Sequence, residues 1–206
     1  MPMALAAHTH SVPATLHDLD DLPEEVVGHL VDGELIVHPR PEPPHVEAAS
    51  ELGWMLVGPF RHGINGPGGW VILDEPKILF GSQLLVPDLA GWRKERFQKI
   101  RKGPYTVAPD WVCEILSFST RRFDRSTKLP IYARAGVRHA WILDPDAQTL
   151  EVLRLHEGHW LIADVFEGAC KVRAEPFEAI ELDLSLVWGE IEPEDEEEPG
   201  TPSPTE

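Results

Sequence analysis

The pattern of apolar and polar positions along the chain predicts a small domain of alternating helices and strands. Apolar residues at helical spacing between Val46 and Leu56 predict one helix, and residues 20–30 predict a shorter helix before it. Strands are predicted at 34–37, 70–80, 84–92, 110–119 and 139–144, followed by a hairpin over 150–168, a short strand from Ala179 and a closing apolar run at 182–188. The run at 110–119 is apolar enough to be buried on both faces of a sheet.

A further helix is predicted between the strands at 110–119 and 139–144. It ends at Ala135, because Gly136 stands where a left-handed C-terminal cap would fall. Pro130 is tolerated only in the first turn of a helix, so this helix either begins near Ser126 or is kinked. The order of the elements indicates an α/β (α+β) fold with a central mixed β-sheet flanked by helices.

Length and composition predict one folded unit with polar ends. The chain has 206 residues and is 42% hydrophobic, which suits a single domain over residues 18–189. Residues 1–17 and 190–206 are predicted to be disordered, the latter as an acidic tail. No apolar stretch approaches the roughly 20 residues of a membrane-spanning helix, and the start lacks the features of a secretory signal. A cytoplasmic protein with no membrane association is therefore expected.

The charge is unevenly distributed along the chain. The formal net charge of −17 argues against a protein that coats nucleic acid through bulk positive charge. Residues 190–206, however, carry eight acidic residues and no basic ones, so residues 1–189 have a net charge of −9. Within them, residues 93–138 hold twelve Lys and Arg against four acids, a net of +8. The pattern predicts one local basic region on an acidic body.

Two carboxylates inside apolar runs are the strongest candidates for chemistry. Asp88 lies within LLVPDLAGW and Glu114 within WVCEILSFS, where ionised side chains are costly unless they are paired or bind a cation. If the two strands are neighbours, alternation lets both acids point into one cleft. Such an oxygen-rich site suits Mg²⁺ or Mn²⁺, and a nearby ammonium, for which Lys128 is the candidate, could orient a water or stabilise phosphoryl charge.

The same residues also have purely structural interpretations. Asp88 after a proline could be a turn or strand-end residue, and Glu114 could simply pair with a basic neighbour. Lys128 and Asp124 form an i,i+4 helix pair in the less favoured orientation and could be only that. Tyr132 could be a core residue.

Longer segments resemble a known family. VPDLAGW, the run WVCEILSFSTRRFDRSTKLPIYARAGVRHAWILDP and the following LEVLRL resemble the Uma2 family of proposed endonucleases, which belongs to the PD-(D/E)xK, restriction-endonuclease-like superfamily. The resemblance spans roughly residues 20–188. It implies a restriction-endonuclease-like fold in which Asp88 is the Asp of PD and Glu114 the second acid. The position two after Glu114 is Leu116 where the parent motif has Lys, and Lys128 on the next helix supplies that lysine.

The resemblance also implies a wider set of site residues. Asp88 and Glu114 would bind the metal, and both would be catalytic together with Lys128. Accessory positions are Glu47, Ser117, Asp124 and Tyr132. Basic residues that follow the two acidic strands would contact nucleic acid: Arg93, Lys94, Arg121, Arg122 and Arg125. Both basic groups are expected to leave the sheet near the carboxylates.

The expected function is a Mg²⁺- or Mn²⁺-dependent endonuclease that hydrolyses phosphodiester bonds in nucleic acid, with DNA the favoured form. A homodimer is expected, because cutting both strands of a duplex is easiest with two sites. The alternative is a catalytically inactive nuclease-like module that binds nucleic acid or a protein partner. A toxin-like or mobile-element accessory protein is not separable from the first hypothesis.

Overall fold

A computed structural model describes residues 13–189. The helices are α1 (Leu16–Asp20), α2 (Pro43–Leu56), α3 (Arg121–Phe123) and α4 (Leu129–Arg134), with π-helical turns at Val57–Arg61 and Asp124–Lys128 and a 3₁₀ turn at Leu184–Leu186. The strands are β1 (Val26–Val31), β2 (Glu34–Pro39), β3 (Trp70–Asp74), β4 (Ile78–Phe80), β5 (Gln83–Leu85), β6 (Leu89–Arg93), β7 (Trp111–Ile115), β8 (His139–Asp144), β9 (Thr149–His156), β10 (His159–Glu167), β11 (Lys171–Val172) and β12 (Leu182–Asp183).

The strands form a large mixed sheet, a smaller antiparallel sheet and a two-stranded ribbon. The large sheet has the order β10-β9-β8-β7-β6-β3, and the smaller one β2-β1-β5-β4. Within the large sheet only β7 and β8 are parallel, so the chain must cross over between them. This architecture confirms the predicted central mixed sheet flanked by helices.

Two predicted strands are wrong in extent, and prolines explain the difference. The run 70–80 divides into β3 and β4, and the run 84–92 divides into β5 and β6. Pro76 and Pro87 lie in the two breaks, where they cannot donate a hydrogen bond to a sheet. At each break the chain leaves one sheet for the other. Asp88 therefore lies at the junction between the two sheets, immediately before β6, and not at the centre of a strand.

The N-terminal prediction is also corrected. The segment expected to form a helix over 20–30 contains the end of α1 and most of β1. β1 and β2 form a hairpin in which Val31 pairs with Glu34, joined by Asp32 and Gly33 at φ of 51° and 80°. An Asp-Gly pair with positive φ at both positions is a two-residue hairpin turn, which requires a strand on each side.

The two ends of the predicted domain differ in detail from expectation. α1 begins at Leu16, inside the segment expected to be disordered, and Ala179 lies in a turn, with the short strand at Leu182–Asp183. The predictions for residues 1–12 and 190–206 lie outside the described residues. Within 13–189 no helix is long and apolar enough to cross a lipid bilayer.

The crossover helix, which we define as residues 121–134, contains a π-helical turn. The amide of Leu129 donates to the carbonyl of Asp124, five residues earlier, directly before Pro130. Such a turn lets a proline enter a continuous helix, so the helix begins before Ser126 and runs through Pro130. Gly136 has φ of +75° and ends the helix as predicted.

The large sheet is covered on both faces. On one face α2 packs over a cluster that includes Trp111, Cys113 and Ile115 of β7. On the other face the crossover helix and parts of the smaller sheet pack over a cluster that includes Val112 and Ala140. Successive residues of β7 alternate between these clusters, as expected for a strand buried on both faces.

Candidate active site

The site is built where β7 ends and the chain passes between the two sheets. β6 and β7 are antiparallel, and Leu89 pairs with Cys113, which sets Asp88 beside the carboxyl end of β7. There Asp88 Oδ2 accepts a hydrogen bond from the backbone amide of Ile115 at 2.6 Å. The interruption between β5 and β6 at Pro87 thus places Asp88 against Ile115, the residue that follows Glu114.

Glu114 is fully buried and lies on the crossover-helix face of the sheet. Its Oε2 accepts a hydrogen bond from Lys128 Nζ at 2.7 Å, and its Oε1 accepts one from Tyr132 Oη at 2.5 Å. Lys128 and Tyr132 are one helical turn apart, so the crossover helix presents both donors to the same carboxylate. Each oxygen of Glu114 has a protein partner.

Lys128 lies at the centre of a buried polar cluster. In addition to Glu114, its ammonium donates to the carbonyl of Val86 at 3.2 Å and lies 2.9 Å from Asp124 Oδ1. The contact with Asp124 is outside hydrogen-bond geometry, so neither carboxylate oxygen of that buried residue has a hydrogen-bond partner among residues 13–189. The bond to Val86 ties the crossover helix to the sheet junction.

The charges of this cluster control its protonation. Burial raises the pKa of Glu114 to about 8, although the charge of Lys128 opposes that shift. Burial alone would lower the pKa of Lys128, but the charges of Glu114, Asp124 and Asp88 outweigh it and the pKa is raised. Burial raises the pKa of Tyr132 well above its ordinary value. Lys128 is therefore an ammonium at neutral pH, and Tyr132 a neutral phenol able to donate.

Asp88 faces a different environment from Glu114. It lines a cleft of about 560 Å³ between α2 and the end of β3, and its side chain is 15% exposed. His45 Nε2 lies 3.1 Å from its Oδ1. Burial would raise the pKa of Asp88, but the hydrogen bond from His45 and the charge of Lys128 lower it, so Asp88 is ionised. Glu114 does not line this cleft.

His45 is a residue of this site that sequence reasoning missed. It lies in the first turn of α2 and is buried together with Ala48 and Leu52. A signal was available, because positions 45, 48 and 52 form the buried stripe of the helix and a histidine on such a stripe needs a polar partner. Burial lowers the pKa of His45, but the hydrogen bond and charge of Asp88 more than offset this and raise it.

Of the four predicted accessory residues, two belong to the buried cluster around Lys128 and two lie outside it. Asp124 and Tyr132 both belong to the cluster around Lys128 and Glu114. Ser117 follows β7, and its hydroxyl lies 3.0 Å from that of Thr120. Glu47 is exposed on α2, with its carboxylate near Gly189 and not among the residues that line the cleft.

The predicted basic residues separate into two groups at opposite ends of the sheet. Arg93 is the last residue of β6 and Lys94 follows it, at the end of the strand that lies about 17 Å of extended chain from Asp88. The Arg93 amide donates to Asp110, which precedes β7, and its guanidinium stacks 4.1 Å from the centroid of the Trp70 ring. The expectation that these two residues leave the sheet near the carboxylates is wrong, because antiparallel neighbours bring the end of β6 to the start of β7.

The second basic group follows β7 on the crossover helix and is close to the site. Arg121 lies 3.2 Å from Asp144 at the end of β8, and Arg125 pairs with Glu151 of β9. Within the part of the chain that the structure describes, Arg122 has no ion pair. All three side chains belong to exposed residues. Their charge is thus partly neutralised by acids of the same sheet.

The carboxylates of Asp88 and Glu114 can be compared with the ligands that a divalent cation prefers. Carboxylate oxygens suit Mg²⁺, which commonly takes one or two protein carboxylates and keeps several waters. Asp88 fits this role, since it is ionised and reaches the cleft. Glu114 supplies a second hard ligand only if it shares its oxygens with Lys128 and Tyr132. Among residues 13–189 no three His, Cys, Asp or Glu side chains are grouped so as to hold a metal ion.

The large mixed sheet with helices on both faces agrees with the restriction-endonuclease-like α+β fold that the resemblance implies. A comparison with models of protein families identifies the family. Residues 13–186 match the model of Uma2, which is described as "Putative restriction endonuclease". The chain belongs to the Uma2 family.

Solved structures agree on the fold. One match is a crystal structure described as "a putative nuclease belonging to DUF820 from Anabaena variabilis ATCC 29413". It is 24% identical, with a TM-score of 0.63, and the alignment covers 85% of this chain and 98% of the other. At this identity the match supports the fold alone. A search of curated proteins found no match.

Proposed function

We propose that this protein is a divalent-metal-dependent endonuclease that hydrolyses phosphodiester bonds in nucleic acid, with DNA as the favoured substrate. The observation that carries the proposal is the convergence of Asp88, Glu114 and Lys128 at one end of the sheet. Asp88 contacts the amide next to Glu114, and Lys128 bonds both Glu114 and the carbonyl two residues before Asp88. Membership of a family described as a restriction endonuclease supports the same reaction class.

Each residue of the proposed site has a separate role in the reaction. Asp88 would hold Mg²⁺ or Mn²⁺ at the cleft, and Glu114 would be the second ligand only by exchanging its bonds to Lys128 and Tyr132. The cation would supply a water of lowered pKa and neutralise phosphoryl charge. His45 holds Asp88 in place through its Nε2 contact. Lys128 provides a fixed positive charge at the junction of the sheets, where it can stabilise charge that develops on a phosphate.

The decisive experiment compares Asp88→Asn with the wild type in two assays. Asp88→Asn keeps the shape of the side chain and an oxygen that can accept from the Ile115 amide, so the fold is retained. Mn²⁺ at 100 times its Kd should stabilise the wild type by about 2.7 kcal/mol in a thermal unfolding assay. Asp88→Asn should lose that stabilisation and the cleavage of plasmid or oligonucleotide substrates. Asp164→Asn, an exposed aspartate of β10, is the matched control and should behave as wild type.

Retained cleavage by purified Asp88→Asn would contradict the proposal. A second candidate, an inactive nuclease-like module that binds nucleic acid or protein, is favoured by one observation: both oxygens of Glu114 are enclosed by Lys128 and Tyr132. This candidate predicts no cleavage by the wild type at any Mn²⁺ concentration and no Mn²⁺-dependent stabilisation. The same two assays therefore separate the hypotheses.

A further inference from the structure

A surface beside the proposed site combines an exposed aromatic ring with arginines. Phe118 follows β7 and is 98% exposed, the largest exposure among the large hydrophobic side chains of the described residues. With Arg121, Arg122, Arg125 and Ser126 it lines a shallow concavity of about 440 Å³, which we call the Phe118 surface. The ring belongs neither to the buried polar cluster around Lys128 nor to the hydrophobic core.

The loop that carries Phe118 is held in a defined turn. The hydroxyl of Ser117 accepts a hydrogen bond from the amide of Thr120 at 3.3 Å and lies 3.2 Å from the hydroxyl of Ser119. The amide of Arg121 donates to the carbonyl of Ser117 at 3.0 Å. These contacts close the backbone around Phe118, so the ring is presented to solvent by an ordered turn. A backbone that is already ordered loses little conformational entropy when a ligand stacks on the ring that it carries.

The Phe118 surface is close along the chain to the residue that binds Asp88. Phe118 is three residues after Ile115, whose amide binds Asp88, so their Cα atoms lie no more than about 11 Å apart. A nucleotide stacked on the ring is therefore close to the end of β7 that binds Asp88, although the Phe118 surface and the cleft that Asp88 lines share no residue.

The charges on this surface suit phosphates on either side of such a base. Arg121, Arg122 and Arg125 supply guanidinium groups, which bind phosphate oxygens through paired N–H donors. Acidic partners neutralise part of this charge, since Arg121 contacts Asp144 and Arg125 pairs with Glu151. Phosphate contacts alone are thus weakened, and stacking must supply more of the affinity.

We propose that Phe118 stacks on an unpaired nucleobase while these arginines contact its flanking phosphates, so that the substrate is single-stranded or locally unpaired nucleic acid. In a duplex the faces of the bases are already stacked on one another and are closed to the ring. An aromatic platform beside phosphate-binding side chains is the general means of holding single strands without sequence preference. This inference rests on the proposed function, because it assumes a nucleic-acid substrate.

The test measures binding without cleavage. Fluorescence anisotropy in EDTA compares a labelled single-stranded oligonucleotide with the duplex of the same sequence. Phe118→Ala should weaken single-strand binding between about fivefold and 150-fold, the range for loss of one stacked base, and leave duplex binding unchanged. Phe118→Trp should retain single-strand affinity. Ile162→Ala, which shortens an exposed apolar side chain on β10, is the control and should bind as wild type.

Several results would overturn the inference. Wild-type binding that Phe118→Ala leaves unchanged, or weakens equally for single strand and duplex, removes the stacking role while the proposed function stands. If sedimentation shows a wild-type dimer that Phe118→Ala dissociates without loss of oligonucleotide affinity, the ring is a contact between two copies. If the wild type binds neither form of nucleic acid, the proposed function fails and this inference fails with it.

Discussion

Replacing Lys128 by methionine tests whether the buried cluster needs its cation. Lys128→Met keeps the length of the side chain but leaves Glu114 and Asp124 without the ammonium 2.7 and 2.9 Å from their oxygens. At an effective dielectric constant of about 20, each contact is worth about 6 kcal/mol of Coulomb attraction when the acid is ionised, which for Glu114 requires a pH above about 8. Much of this is offset by the cost of burying the lysine charge. Breaking a buried pair by removing one partner costs about 3–5 kcal/mol in practice.

Urea unfolding monitored by tryptophan fluorescence measures the loss. We expect Lys128→Met to lower the free energy of unfolding by about 3–5 kcal/mol, and to lower the Tm by roughly 6–20 °C for a domain of this size. Adding Glu114→Gln should recover about 1–3 kcal/mol, since it removes one of the uncompensated acids. Lys99→Met, at an exposed position, should stay within about 0.5 kcal/mol of wild type.

Two outcomes would refute this reasoning about the cluster. If Lys128→Met is as stable as Lys99→Met, the ammonium does not stabilise the fold through Glu114 and Asp124. If adding Glu114→Gln lowers stability further, no uncompensated charge remained at Glu114 in the single variant. The pKa of Glu114, already raised by burial, would then rise further without Lys128, and Glu114 would be neutral in the single variant.

The remaining predictions concern stability elsewhere in the fold. Burial, followed by the charge of Lys128, lowers the pKa of His29 from 6.5 to about 2, so between these values the unfolded chain binds the extra proton. Stability should therefore fall as pH drops below 6.5, by about 2 kcal/mol at pH 5 from this group alone, and His29→Asn should remove that part of the slope between pH 7 and 5 in urea titrations. Gly66→Ala should destabilise by about 1–3 kcal/mol, because its Cβ would lie 2.4–2.9 Å from atoms of Pro59. Gly58→Ala, with open space around the new methyl in a helical turn, should stabilise by about 0.5–1 kcal/mol, and equal effects at the two glycines would contradict the packing argument.

Local patterns were sufficient for the elements whose signal lies within one segment. α2, β7, β8 and the β9–β10 hairpin were all predicted, because periodicity and turn residues act over a few positions. β1 was missed, since a short apolar run is ambiguous until its pairing partner is considered. The predicted extents of the two strands that proline divides were wrong for a related reason. Nothing in a single apolar run shows that its halves join different sheets.

For the site, the sequence alone identified Asp88, Glu114 and Lys128 as a set, because a charged residue in an apolar run requires a partner. Their connections were decided by tertiary structure. The register of β6 against β7 sets Asp88 beside Ile115, and the packing of the crossover helix on the sheet brings Lys128 and Tyr132 to Glu114. The same packing opens Asp88 to the cleft and encloses Glu114, a difference that depends on which sheet face each side chain meets. Strand direction likewise places Arg93 far from the site and Arg122 near it. The distance between residues in a sheet depends on how the strands pair and not on the order of the strands in the sequence.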